Sequence, residues 1–350
     1  MNAIGKEVCF LNTDEIHNRK GEGDFIRLNN GNIMFAYTEY ENQGYEDNAC
    51  ANISAVFSYD DGETFCDYKV ILKKDDLSLN YACVNLIKLT DGGIALYCLR
   101  KYLSNDGELK SAIIRSISYD DAKTWSTPET VIDENKYYVL ENGRILRLNN
   151  GNILLPLNLH EKNDFSNGKI AYFYSTDDGK TFINTGNLIS NPTGDPFGLQ
   201  ETGVCQFDDG TIFSYSRTNC SSQFQSFSYD NGLTWTTPYP KSNVFSSPLS
   251  PMTVKKTKDY FVAIFNPIPN FVGRINLTRS PLLLLTAKSG EDLLINPKPY
   301  YLETDETNSY CYTAVFSGND YILFAYYHSN GKSTLGGGCK IKKVLLSELK

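Results

Sequence analysis

The stretch QETGVCQFDDGTIFSYSRTNCSSQFQSFSYDNGLTW, residues 200–235, contains one whole structural unit. QETGVCQF alternates as a strand does, and Asp208-Asp209-Gly210 is a turn that needs a residue tolerating positive φ. TIFSYSR returns as a second strand, and FQSFSYD reads as a third. Asn231-Gly232 then turns into a fourth, short strand at 233–235. Four short antiparallel strands joined by tight turns make one sheet of the size of a propeller blade.

The same unit recurs along the chain. A strand runs into a turn and then an apolar strand at LNNGNIMFAY (28–37), LTDGGIALYC (89–98), LNNGNILLPL (148–157) and FDDGTIFSYS (207–216). The turn glycines Gly31, Gly92, Gly151 and Gly210 are 61, 59 and 59 residues apart. Weaker copies at TKDYFVAIFN (257–266) and GNDYILFAYY (318–327) bring the total to six. A second marker lies between them: SYDDGETF at Ser58, SYDDAKTW at Ser118, STDDGKTF at Ser175 and SYDNGLTW at Ser228. This Ser-x-Asp-x-Gly-x-Thr-aromatic pattern suits a hairpin turn, with Asp bonding the turn amides and Gly supplying positive φ. Ala122 replaces the glycine in the second copy, which predicts a turn that is strained or shifted there. No apolar segment of ten or more residues has helical period, so helical repeats are excluded.

Composition agrees with a strand-rich fold. Aromatics are 13% of the 350 residues, with 24 Tyr, 19 Phe and 26 Gly. The net charge of −8 argues against a nucleic-acid-binding surface, which needs a basic face. Nine cysteines, scattered singly and with no CxxC pair, suggest reduced thiols rather than zinc or a disulfide framework. The first twenty residues lack an apolar signal core, and no run is long enough for a membrane helix. The expectation is therefore a soluble, cytoplasmic protein with no membrane partner.

Four turns of this kind at this period resemble the Asp-box (BNR) repeats of sialidases and their relatives. The resemblance covers nearly the whole chain. It implies an all-β fold, a six-bladed β-propeller of four-stranded antiparallel blades, forming a single domain over 1–350. The ends of the chain should meet in one blade, with CKIKKVLLSEL as the closing strand.

In a propeller the innermost strands converge on one end of the central channel, where distant polar residues meet. The resemblance implies site residues there. Glu201 and Arg217, 16 residues apart, match a glutamate that polarises a tyrosine nucleophile and an arginine that grips a carboxylate. Tyr310 in SYCYTAV resembles the nucleophile, with Tyr312 a close rival. Arg279 resembles a second arginine, with Arg274 as the alternative. Asp47 matches the loop acid/base, among neighbours Glu41 and Glu46. Arg100, Arg144, His160 and His328 end or flank inner strands and could contact sugar hydroxyls. One departure stands out: Glu22-Gly23 occupies the place of the family's first arginine, Arg19 lying too early and Arg27 too late.

These residues imply a sialidase-like exo-glycoside hydrolase that releases a terminal acidic sugar with retention of configuration. It would use no metal and no cofactor, and its partner is a carbohydrate, a sialoside or related glycan. A non-catalytic glycan-binding propeller, a hydrolase or lyase acting on another glycan, and a protein-interaction scaffold are the alternatives.

Overall fold

The computed structural model describes residues 2–41, 46–161, 166–267, 279–330 and 337–350. Short antiparallel strands dominate it. Among these residues helix is confined to Gly290–Ile295 and a 3-10 turn at Leu346–Leu349.

The strands form a β-propeller arrangement, but not six separate four-stranded blades. Four sheets are of blade size, three with four strands and one with five, and the rest of the strands share one eight-stranded sheet. That sheet combines the first two sequence repeats, His17–Arg27 through Cys66–Leu72 and Ser78–Lys88 through Glu129–Ile132. The join is a parallel bridge between Ala51 and Asn80. Asn80 reinforces it, because its side-chain amide donates to the carbonyls of Asp47 and Ala49, each at 2.9 Å. One polar side chain thus ties two expected blades together.

The five-stranded sheet departs from the expectation for a related reason. Its inner edge is split into Tyr137–Val139 and Leu146–Arg147, both paired with Ile153–His160. The intervening amides bond outside the sheet. Those of Arg144 and Ile145 donate to the Asn85 side chain, and that of Gly143 donates to the Val84 carbonyl.

In the unit at 200–235 the expected fourth strand, 233–235, is instead part of a turn, and the edge strand is Tyr239–Pro240. The amides of Leu233 and Thr234 donate to Asp230, so they cannot enter a ladder. Trp235 stacks on Tyr172 of the preceding sheet, with ring centroids 4.0 Å apart. Asp60, Asp120 and Asp177 bind two amides, a threonine hydroxyl and a serine hydroxyl in the same way as Asp230. Ala122 holds the glycine position of its turn at φ 62°, where Gly62, Gly179 and Gly232 stand at 83°, 79° and 89°.

The two ends of the chain meet: Lys6–Leu11 pairs with Gly338–Leu345 in the sheet that also holds Asn308–Ser317. That sheet packs on the start of the chain through Phe35 and Tyr37 against Tyr321 and Leu323. His17–Arg27 contacts both Ser78–Lys88 and Asn308–Ser317, and Thr253–Lys256 contacts both Gln200–Gln206 and Asn308–Ser317. Apolar burial between neighbouring sheets is the main stabilising term of such a ring.

Candidate active site

Four innermost strands carry the same irregularity. Register slips between Gly21 and Asp24, Ala82 and Asn85, Gln200 and Gly203, and Cys311 and Ala314. At each slip one residue adopts a left-handed backbone: Glu22 at φ 51°, Cys83 at 62°, Glu201 at 50° and Tyr312 at 57°. A bulge of this kind re-aims a side chain at a cost of about 1–3 kcal/mol for a non-glycine residue. All four residues, with Glu141 from the split strand edge, line one cavity of about 210 Å³. That volume suits a single sugar ring.

One wall of the cavity is built on Glu201. Its Oε1 accepts the Tyr312 hydroxyl at 2.7 Å and the Arg217 guanidinium at 2.5 Å. Burial first, then the Glu201 charge, push the Tyr312 phenol well above its ordinary range, so it rests neutral. Arg279 lies over the Tyr312 ring at 5.5 Å and donates to Cys311 Sγ at 3.2 Å. Burial opposes its charge, but Cys311, Tyr312 and Glu201 outweigh that and keep it cationic.

Asp47 also lines the cavity and accepts a 2.8 Å hydrogen bond from Arg19. Burial pushes its carboxyl up, yet Arg19 and Lys101 together hold it below the usual range. Arg19 is fully buried, pairs also with Glu22, and donates to the Tyr327 hydroxyl at 2.9 Å. Lys101 Nζ donates to the Asp47 carbonyl at 2.7 Å. Glu141 faces the other carboxylates; burial, then Glu22 and Glu201, push it up to about 8.

The structure brings Glu201, Arg217, Arg279, Asp47 and His160 around this cavity. Tyr310, Arg100 and Arg144 lie elsewhere. The Tyr310 ring stacks on His328 at 5.4 Å, away from the cavity, while Tyr312 faces into it. Arg100 turns outward to Ser78 at 2.7 Å and Asp75 at 3.5 Å. Arg144 is a buried clamp beneath the floor, donating to the Tyr215 hydroxyl and the Met252 carbonyl. Arg27 pairs with Asp61 at the surface, 2.8 Å away. Arg274 lies outside the described residues. Arg19, three residues before Glu22, is buried and pairs with Glu22 and Asp47; Glu22 itself, not Arg19, lines the cavity.

Glu22, Cys83, Lys101, Tyr137 and Glu141 are cavity residues that the sequence reading did not select. A signal for three of the bulge positions was present. Glu22, Cys83 and Glu201 each stand nine residues before a turn glycine, Gly31, Gly92 and Gly210. Three glutamates also precede a glycine by one or two residues, as Glu22-Gly23, Glu141-Asn142-Gly143 and Glu201-Thr202-Gly203. Among the described residues no group of three or more His, Cys, Asp or Glu side chains is placed to hold a metal ion. No helix in them is long and apolar enough to cross a membrane.

The β-propeller arrangement and its repeated turns place the chain among BNR-repeat, sialidase-related proteins. The chain belongs to the BNR repeat-like domain family, whose model matches residues 86–325. A sialidase from Paraclostridium sordellii is 25% identical over 236 residues, a match covering 61% of this chain and 56% of that protein. The chain thus spans little more than half the length of this relative. The leech intramolecular trans-sialidase superposes with a TM-score of 0.76 at 14% identity, over 100% of this chain and 71% of that one. The intramolecular trans-sialidase from Ruminococcus gnavus gives 0.75 at 14% identity, covering 96% of each chain. At those identities the likeness is one of fold.

Proposed function

We propose that this protein is a retaining exo-glycoside hydrolase that removes a terminal acidic sugar, with a sialoside as the first substrate to test. The observation that carries the reading is the Tyr312–Glu201 hydrogen bond of 2.7 Å at a cavity that also presents Arg217, Arg279 and Asp47. A neutral phenol is a suitable nucleophile for an anionic sugar, since it approaches without charge repulsion.

In this scheme the sugar carboxylate lies against Arg279 and Arg217. The Tyr312 oxygen forms a bond to the anomeric carbon as the glycosidic C–O bond breaks, and the phenolic proton passes to Glu201. Asp47 delivers a proton to the departing oxygen. It then takes one from the water that cleaves the sugar–tyrosine bond, and Glu201 returns its proton to Tyr312. Asp47 starts below the usual carboxylate range. An incoming carboxylate at the arginines adds negative charge to the site and raises the aspartate toward the protonated form its first role requires.

The test is hydrolysis of an aryl sialoside followed by NMR from the first turnover. Release of sialic acid in the anomeric configuration of the substrate supports the proposal. Inversion, or no release by folded protein, rejects it. Tight binding of the sugar without release would support a glycan-binding propeller instead.

A further inference from the structure

Arg19 is shared between two carboxylates. One terminal nitrogen donates to Asp47 Oδ1 at 2.8 Å, the other binds Glu22 Oε1, and Nε donates to the Tyr327 hydroxyl at 2.9 Å. The guanidinium therefore meets Asp47 through a single nitrogen, without the two-pronged contact that makes an arginine–carboxylate pair strongest. Glu22 is the better placed partner. Its side chain is 6% exposed against 42% for that of Asp47, and it acts more strongly than Asp47 on the Arg19 charge. The bulge at φ 51° aims it there, and its second oxygen accepts the Tyr40 hydroxyl at 3.1 Å.

The two carboxylates have different parts in the proposed reaction. Asp47 must take up a proton before it can give one to the departing oxygen, and each nearby cation opposes that step. It faces Arg19, Lys101 and Arg279, with the neutral Tyr137 phenol and Cys83 thiol as further titratable neighbours. Glu22 faces Arg19 on its own strand, and Tyr40, Tyr327, Cys83, Lys101 and Glu141 from others. Removing the Glu22 charge would leave Arg19 wholly to Asp47 and would take away a like charge beyond the guanidinium. Both changes make Asp47 harder to protonate.

We propose that Glu22 is a positioning residue for Asp47: by occupying one arm of Arg19 it limits the hold of Arg19 on Asp47, and keeps Asp47 able to carry the proton that the leaving group receives. The inference rests on the hydrolase reading, but it can also be tested without turnover. In protein isotope-labelled at the aspartate carboxyl carbons, the Asp47 NMR signal is the one that Asp47→Asn removes. It would be followed in wild type, Glu22→Gln and Glu22→Asp from neutral pH down to the onset of unfolding. In Glu22→Gln the signal should move toward its protonated position about one pH unit later than in wild type. Glu22→Asp keeps the charge one methylene farther from Arg19 and should lie between the two.

Rates give the second readout. On a sialylated trisaccharide, whose leaving group is a sugar, Glu22→Gln should lower kcat/KM about tenfold along the acidic rise. On an aryl sialoside, whose leaving group needs little protonation, it should stay within about threefold. A merely structural role would lower both rates together. Equal losses on both substrates, or an Asp47 titration that is unchanged or moved upward in Glu22→Gln, would overturn the inference. If no sialoside turns over but the Asp47 signal moves as expected, the control of Asp47 by Glu22 stands and the hydrolase reading fails.

Discussion

Glu201 and Tyr312, 111 residues apart in sequence, meet because each sits at the bulge of an innermost strand, at φ 50° and 57°. The bulge also explains why Tyr312 faces the cavity and Tyr310 does not. In a regular strand residues two apart share a face. Here the register slips between Cys311 and Ala314, and Tyr310 goes to the aromatic stack with His328 and Tyr326.

Tyr312→Phe should therefore reduce kcat on an aryl sialoside by about 10³-fold or more, with the melting temperature little changed. Tyr310→Phe, which removes a hydroxyl remote from the cavity, should stay within about threefold of wild type. A larger loss from Tyr310→Phe than from Tyr312→Phe would reverse the assignment.

The all-β class and the propeller arrangement were legible because both depend on local signals. The 59–61 residue spacing of Gly31, Gly92, Gly151 and Gly210 records a turn that each sheet repeats. The expected count of six four-stranded blades was wrong, because the Ala51–Asn80 bridge, reinforced by the Asn80 side chain, joins the first two repeats into one eight-stranded sheet. Resemblance pointed to Glu201, Arg217, Arg279 and Asp47, and all four line the cavity. Tyr310, the expected nucleophile, lies outside the cavity and Tyr312 lines it, because a bulge changes which residue points inward without leaving a strong local mark.

The repeated turns allow a stability prediction in which the magnitudes decide. In Ala122→Gly, relief of the left-handed backbone is worth about 1–2 kcal/mol. Against it stand the freer unfolded chain, about 0.5–1 kcal/mol, and the lost burial of a methyl group, about 0.8 kcal/mol. The net change should be under about 1 kcal/mol. Gly179→Ala in the equivalent turn is different, since an added Cβ would lie 2.0 Å from the Tyr97 hydroxyl. It should cost about 2 kcal/mol or more. Urea melts of the two variants check this, and equal effects would count against the account.

Glu141 gives a pH dependence of stability. Its folded carboxyl is pushed up to about 8, from an unfolded value near 4.5. Between those values the folded state holds the extra proton, so this group makes stability fall as pH rises from about 4.5 to about 8. The slope from one such group is at most about 1.4 kcal/mol per pH unit. Glu141→Gln, which keeps the shape of the protonated acid, should flatten stability between pH 5 and 8. Melts at several pH values in the two proteins test this. Parallel curves would show that Glu141 is ionised in the folded state.

Asp47 should respond in the opposite direction, because Arg19 and Lys101 hold it below the usual carboxylate range despite its burial. Its ion pair contributes stability that is present above the unfolded carboxylate value and is lost as pH falls through the lower, folded one. Catalysis needs the other form. As a general acid it must be protonated, so kcat/KM for a substrate with a poor, sugar leaving group should rise as pH falls below neutral, while stability declines. An aryl leaving group needs little protonation, and its profile should be flatter. Asp47→Asn should cost about 10²–10³-fold on the trisaccharide and under about tenfold on the aryl sialoside, and it should remove the acidic rise. Profiles of the same shape in wild type and Asp47→Asn would assign the proton to another group. Glu141 would then be the first to examine, since it lines the same cavity and is held protonated at neutral pH.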